Sequence, residues 1–521
     1  MHPSMNPNKS LASMEVGYSS EFVHCDTTAS PTPQKVGIDG PQPIDLTAVT
    51  FLLLQNDNNS SNTVSERANT EKASHSSSLN QRKLRPRFVP ASRWIRFQLW
   101  FSTYRKFFVF ILLLELVGMI TAGLGHFPYA HENTGGIVIG NILAGVVVRN
   151  EIFGRLLYLI VNTLFAKWTP LWFRLGWTSV LQNLGGIHSG CSVSAVGWLV
   201  YNLVHLFQHH EDMSVGVLVM GIIVCLMIAF TCISAVPWIR NTHHKYVLSL
   251  SAITDSWGGL VRKPVIVLWI YIILESGYRK SRSSFSENSY AFAHRQEFWL
   301  TACMTISVVL PWTYTRKVPI HVEIPSQKVA VLRFDRGIQQ GLLGRISRTA
   351  ILEYHAFGII SEGKNAKYHY MVCGVQGDFT RALVNDVPTH IWTREVKFAG
   401  VGNASTLYRR GIRICTGTGI GAALSTCLQS DQWLLIWIGS DVLKTFGPTI
   451  AELIERGVGD RAILWDTKKL GRPKTMELLA EQYHKWNAEV VMITSNWDGN
   501  QEMMQGCMQR GIPAFGTVWD F

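Results

Sequence analysis

The chain has 521 residues, a formal net charge of +12, and 16% charged against 47% hydrophobic residues. A charged share well under the ~25% usual for soluble domains excludes a protein that faces water throughout, and the length exceeds one ordinary domain. Nine cysteines include no CxxC pair, so neither a disulfide framework nor a zinc site is indicated; basic residues gather at the ends of apolar runs, which favours an anionic membrane face over nucleic acid.

Residues 1–90 are rich in Ser, Asn, Thr and Pro. Such a stretch buries too little apolar area to offset its ordering entropy, so a disordered tail is expected. It opens with no basic and apolar leader pattern, and no cleaved signal peptide is expected. "QRKLRPRFVPASRWIRFQLWFSTYRK" then combines basic and aromatic residues, the composition of a segment lying at a membrane surface.

Six apolar runs follow, at 107–125, 136–148, 188–207, 213–238, 264–278 and 298–314. The first is long enough to span ~30 Å of hydrocarbon. The second is short, but "IFGRLLYLIVNTLF" follows it and extends it. Six spans place both chain ends on one side. Arg149, Arg240, Lys245, Arg316 and Lys317 follow the even-numbered runs, which puts both ends in the cytosol, with the plasma membrane the favoured bilayer. One loop disagrees, since Arg279, Lys280, Arg282 and Arg295 would lie outside. The expected first part is therefore a transmembrane helix bundle over 91–317.

After residue 317 the pattern changes. "VPIHVEIPSQKVAVLRFDR" alternates apolar and polar residues, as strands do. A small antiparallel β-barrel is expected over 318–408. From 409 to 521, strand-like runs ("WLLIWIG", "RAILW", "EVVMITS") alternate with helical ones ("TIAELIERG", "TMELLAEQYHKW"), which argues for an α/β domain with a parallel sheet.

The α/β domain opens on "IRICTGTGIGAAL". Gly417, Gly419 and Ala422 fit G-x-G-x-x-A, between a strand and a helix. Glycines there let the backbone approach a pyrophosphate, and the amides at the helix start meet its charge. Gly417, Thr418, Gly419 and Ile420 are thus candidate nucleotide contacts; the alternative is a plain tight turn. The acidic residue expected ~20 positions on is only loosely matched by Asp441. Ser440, Lys444, Lys468, Lys469 and Arg472 could instead face a 2′-phosphate, so NADH and NADPH both stay open.

Upstream, "EYHAFGIISEG" and "GDFTRAL" make the chain similar to the NADPH oxidases and fungal ferric reductases. Their barrel carries H-P-F-T-x-x-S for FAD; this chain has His355, Ala356, Phe357, Gly358 and Ser361. Their G-x-W-T element has Phe379 and Thr380 here. The chain most resembles the fungal TmpA-like membrane flavoproteins, which share H-A-F and a "GGxHSG", here residues 185–190. The resemblance spans roughly 100–521. It implies a ferredoxin-reductase-like module in which His355, Phe357, Ser361 and Thr380 hold FAD, NAD(P)H is the electron donor, and Trp519 or Phe521 stacks near the flavin. The family's Cys-Gly pair after the last sheet strand is replaced by Thr494, Ser495 and Asn496. Its haem ligands are incompletely matched: His188 and His205 lie 17 apart on one span, and His243 and His244 sit at a membrane edge. Haem stays open. The expected activity is membrane-bound NAD(P)H-to-FAD electron transfer to an unidentified acceptor. A haem-containing metalloreductase or superoxide-generating oxidase, and a scaffold or signalling protein that has lost turnover, are the alternatives.

Overall fold

The computed structural model describes residues 91–208, 215–236, 294–351 and 354–518, with Ile239 and Trp269 between them. All lie in one compact unit, residues 51–521. The expected tail, the fifth apolar run (Trp269 apart), most of the discordant loop, His243, His244, Trp519 and Phe521 fall outside the described residues.

A short amphipathic helix, α1 (Arg93–Trp100), begins at Ser92, whose hydroxyl accepts from the Ile95 amide. It exposes a row of aromatic rings, Trp94, Phe97 and Trp100. The bundle then comprises α2 (Thr103–Gly123), α3 (Pro128–Arg149), α6 (Gly185–Gln208), α7 (Val215–Ala235) and α8 (Gln296–Thr313). Helix α6 packs against α2, α3 and α7, and α8 lies on α3. The "GGIHSG" motif forms this seam. A Cβ on Gly186 would strike the Tyr104 carbonyl oxygen, and one on Gly190 would fall 2.8 Å from Ile111 Cβ. Small residues let two helix backbones approach, the usual means of holding helices together in lipid. His188 bonds through Nδ1 to the Gly145 carbonyl at 2.9 Å, and Trp198 donates to Glu115 at 2.7 Å.

Six spans are not supported. Among the described residues two helices are long and apolar enough to cross a membrane, Thr103–Gly123 and Leu218–Ala235, or three if one bent pair counts as a span. That pair is α3 with α4 (Glu151–Leu164), inclined at 65°, where one continuous second span was expected. The cause is local. Asn150 caps the new helix by accepting from the amides of Ile152 and Phe153. Glu151 in its first turn pairs with Arg345 and Arg394 of the β-rich region. The apolar face of α4 then meets protein: Tyr158 and Val161 are buried in the core of the following domains.

Helix α5 (Leu171–Gln182) is fixed to the same domains. Arg174, 3% exposed, holds Glu489 by two hydrogen bonds of 2.7 and 2.9 Å, and Thr178 bonds to the Tyr408 hydroxyl at 2.7 Å.

The β-rich region has two antiparallel sheets. One orders β1 (Thr315–Pro319), β8 (His390–Arg394), β4 (Leu342–Ser347) and β5 (His355–Gly358), with β9 (Phe398–Ala399) also on β4. The other orders β2 (His321–Ser326), β3 (Val329–Phe334), β7 (His369–Gly374) and β6 (Ile360–Ser361). They close over a core that includes Leu332, Ile346, Ile359, Met371 and Ile391. A helix, α9 (Asp378–Asp386), interrupts the strands where only β structure was expected.

The last domain is a parallel sheet ordered β12 (Ala462–Asp466), β11 (Trp433–Gly439), β10 (Gly411–Thr416), β13 (Val490–Thr494) and β14 (Ala514–Phe515). Its central strands read as near-continuous apolar runs because both faces are covered. The covering helices are α10 (Ile420–Leu428), α11 (Val442–Gly457), α12 (Thr467–Leu470), α13 (Thr475–Lys485) and α14 (Trp497–Gln509). Strand order reverses between β10 and β13. In open α/β sheets that crevice is where ligands bind, outside the carboxyl ends of the strands.

Candidate functional site at the sheet's switch point

Strand β10 ends in the glycine turn, and each glycine has its own reason. Gly417 has φ +51°, a left-handed conformation that costs glycine little. Gly419 lies against β13: a Cβ there would fall 2.6 Å from the Thr494 carbonyl oxygen. The Gly417 carbonyl accepts from the Trp437 indole at 2.9 Å. Thr418 reaches across to the β-rich region, where a Cβ on Gly374 would meet its methyl at 2.8 Å. Ile420 is wholly buried and pins the start of α10. The hydroxyls of Thr416 and Ser495 bond at 2.8 Å and join the two strand ends across the switch point. Ser495 and Asn496, which stand where Cys-Gly was expected, thus serve the turn: Asn496 also caps α14 by accepting from the Gly499 amide.

The β5 residues behave differently. Directly paired residues in an antiparallel ladder share a face. Arg345 pairs with Ala356 and Leu343 with Gly358, so His355 and Phe357 lie on the opposite face. There the His355 ring stacks on Phe379 at 4.2 Å, and Phe357 lies 6.3 Å from the same ring. Gly358 carries the inter-domain seam. A Cβ on it would fall 2.6 Å from both Ala422 Cα and the Gly421 carbonyl oxygen. The two hydroxyls are occupied by backbone. Ser361 accepts from the Ile338 amide at 2.9 Å and donates to the Gly363 carbonyl at 3.1 Å. Thr380 accepts from the amides of Gln376 and Gly377 at the start of α9.

Beside this seam lies a cleft of about 690 Å³, within the ~300–1,000 Å³ usual for small-molecule sites. Three walls form it. Arg149, Glu151 and Arg155 come from α3 and α4; Leu343, Arg345 and the Gly400–Gly402 stretch from the β-rich region; Arg413 and Thr494 from the parallel sheet and Ala422 from its helix α10. It therefore opens beside the switch point. None of His355, Phe357, Ser361 and Thr380 lines it, and neither do the turn residues Gly417, Thr418, Gly419 and Ile420. Sequence reading missed its arginines. The available signal was Arg413, a lone charge inside the buried strand "GIRICT". Two lysines elsewhere in these domains are held by different means. Lys397, 4% exposed, donates to the Thr393 hydroxyl at 2.7 Å and the Arg394 carbonyl at 2.8 Å, and burial lowers its pKa to about 8. Lys468 is exposed and pairs with Asp441 at 3.0 Å. The two residues that would argue for opposite nucleotide preferences are thus paired with each other. Asp466 orders that corner by accepting from the amides of Asp441 and Lys468.

Among the described residues no group of three or more His, Cys, Asp or Glu side chains is placed to hold a metal. His205 lies near His131, with ring centroids 5.8 Å apart, far along α6 from His188.

Residues 401–521 match the family model described as Adenylate-forming reductase 03009, C-terminal domain. Two relatives from Coprinopsis cinerea are similar over most of this chain. Adenylate-forming reductase 06235 is 30% identical over 430 residues, and Adenylate-forming reductase 03009 is 28% identical over 429. Each alignment covers 81% of this chain, and the chain spans about 40% of the length of either relative. Among solved structures, the ferredoxin reductase in carbazole 1,9a-dioxygenase has a TM-score of 0.31 at 11% identity, over 39% of this chain and 70% of that one. Ferredoxin-NADP+ reductase from Plasmodium falciparum has a TM-score of 0.31 at 10% identity, over 39% and 97%. The relatives' names and the sequence reading agree on one class, an oxidoreductase.

Proposed function

We propose that this chain is an NAD(P)H-dependent flavoprotein oxidoreductase held at a bilayer by its helices. The observation that carries the reading is the cleft itself: three walls meet at Ala422 and Thr494, and Thr494 in turn backs Gly419 of the glycine turn, whose own residues do not enter the lining. The residues fit a flavin nucleotide and a nicotinamide nucleotide. The glycine turn lets backbone come close to a ligand, the cleft is of ligand size, and its walls carry buried positive charge. FAD, when bound, accepts a hydride from NAD(P)H and passes electrons on singly. The protein's share is position and exclusion of water. The turn from Gly417 to Ile420 presents the helix start, Gly419 holds it against Thr494, and α4 and α5 close the side that would otherwise meet solvent.

Lipid as the partner of the helices is supported by their outward faces. On α2, Phe110, Leu113, Leu114 and Val117 are exposed, as are Leu226, Phe230 and Ile233 on α7. Contiguous apolar surface of this kind marks a membrane or partner contact. Both termini are assigned to the cytosolic side, the plasma membrane remains the favoured bilayer, and no nucleic-acid partner is proposed. FAD contacts are assigned to the β-rich region, with His355 and Phe357 as candidates on the face of β5 away from the cleft lining, and Trp519 or Phe521 as further candidates. Turnover is tested by mixing detergent-solubilised full chain with NADPH or NADH and an artificial acceptor such as ferricyanide. Acceptor reduction that saturates with nucleotide supports the reading. A chain that binds flavin yet oxidises neither nucleotide with any acceptor overturns it in favour of a scaffold role.

A further inference from the structure

Arg413 sits at the middle of the central strand β10 and is 1% exposed. One nitrogen, Nη2, donates to the Ala422 carbonyl at 2.5 Å. The other two, Nε and Nη1, are buried without a hydrogen-bond partner among the described residues. Burial lowers its pKa, the Cys427 and Cys415 thiols oppose that, and no carboxylate among the described residues acts on its charge. A buried guanidinium with no counter-ion and two unmet donors is costly. It lines the cleft beside Gly402, where an added Cβ would lie 3.6 Å from Nη2. The rest of the lining points the same way. It holds four arginines, Arg149, Arg155, Arg345 and Arg413, against one acid, Glu151, an excess of three positive charges. That one acid is taken by Arg345 and Arg394.

We propose that Arg413 is the inner anchor of a phosphoryl-binding subsite in this cleft, taking a pyrophosphate with the Gly402 backbone beside it. A guanidinium offers oxyanions paired donors in a fixed plane. An excess of three charges suits the two negative charges of a dinucleotide's pyrophosphate, or the greater charge of the free anion, better than one carboxylate. The subsite rests on the cleft being a nucleotide seat, and deepens that reading by naming the residue that receives the phosphates. The pyrophosphate of a dinucleotide and free inorganic pyrophosphate share this chemistry.

The test titrates inorganic pyrophosphate, FAD and NADPH separately into the full chain in detergent, read by thermal shift and calorimetry. Two variants accompany the native chain. Arg413→Gln removes the charge, and pyrophosphate binding weakens about ten- to a hundredfold. Gly402→Asp supplies an internal carboxylate to Arg413; it abolishes pyrophosphate binding while leaving a folded protein by circular dichroism, with Gly402→Ala as its steric control. Whichever of FAD and NADPH loses affinity in both variants is the source of the phosphates. Equal pyrophosphate binding by native chain and folded Arg413→Gln overturns the proposal, as does full binding by Gly402→Asp should Arg413→Gln not fold. A native chain that binds none of the three overturns it too. Arg413-dependent pyrophosphate binding in a chain that carries no flavin and oxidises no NADPH leaves the subsite standing and removes the oxidoreductase reading.

Discussion

Gly358 brings the backbones of the two C-terminal domains together, so one added side chain there disturbs their packing. The H-P-F-T-x-x-S pattern expected from the sequence has threonine there, so Gly358→Thr restores that pattern. The structure says the restoration is harmful. The new Cβ would lie 2.6 Å from Ala422 Cα and 2.6 Å from the Gly421 carbonyl oxygen, both backbone atoms of α10. Ordinary carbon contacts begin near ~3.5 Å, so the helix must retreat by roughly 1 Å, and the threonine hydroxyl and methyl add to this. Overpacking of this kind costs roughly 1–3 kcal/mol, occasionally more. For a unit of about 200 residues each kcal/mol lowers Tm by roughly 2–4 °C, so a fall of roughly 2–12 °C is expected. Retreat of α10 also breaks the Ser425 hydroxyl's bond to the Ser361 carbonyl, now 3.1 Å, and widens the cleft wall at Ala422. Differential scanning fluorimetry of native, Gly358→Ala and Gly358→Thr chains gives the result. Alanine should lie between the other two. A Gly358→Thr protein with native Tm would show that β5 and α10 are not in backbone contact.

Three further outcomes follow from other parts of the structure. Glu489→Gln strands Arg174, and the loss should be roughly 2–3 kcal/mol, less than the ~3–5 of a wholly buried pair because Glu489 is partly solvated. Burial raises the Glu489 carboxyl, but the Arg174 hydrogen bond and the Arg409 amide outweigh it, leaving its pKa lowered. The stability it adds is therefore present above the ordinary carboxylate value of about 4.3 and is lost as pH falls through the folded value, so denaturation curves of native and variant chains should converge in acid. Gly186→Val places a branched side chain against the Tyr104 carbonyl and should separate α6 from α2, read as loss of monodisperse protein in detergent; unchanged yield and Tm would contradict the seam. Gly419→Ala pushes the turn off Thr494 and should impair reduction by NAD(P)H more than flavin content, measured as reduction rate per bound flavin.

Much of the C-terminal architecture was legible because its signals are local and repeated. "WLLIWIG" is buried along nearly its whole length, and such runs between helical stretches announce a parallel sheet. The glycine turn fell where strand, turn and helix had been read. The span count failed because hydropathy does not say what an apolar face will meet. Helix α4 is as apolar as a membrane segment, yet Asn150 and Glu151 turn it onto the β-rich region, where Tyr158 and Val161 are buried. "GGIHSG" carried no hint of its role until Gly186 and Gly190 were seen to admit α2. Ser361 and Thr380 have the residue types of ligand contacts, but short hydroxyl side chains bond nearby backbone as readily, and these do. Arg413 is a lone charge in the apolar strand "GIRICT", a signal that periodicity does not weigh; its burial and unmet donors are what give it a role.

The central claim is that the two C-terminal domains hold a flavin that NAD(P)H reduces. The most direct measurement is one absorbance spectrum of the full chain in detergent, recorded before and after anaerobic NADPH, with the chromophore then released by denaturation and identified. The account predicts the visible bands of oxidised flavin, their bleaching by the nucleotide, and about one FAD released per chain. A colourless protein that takes up no FAD on reconstitution and leaves NADPH unconsumed would contradict it.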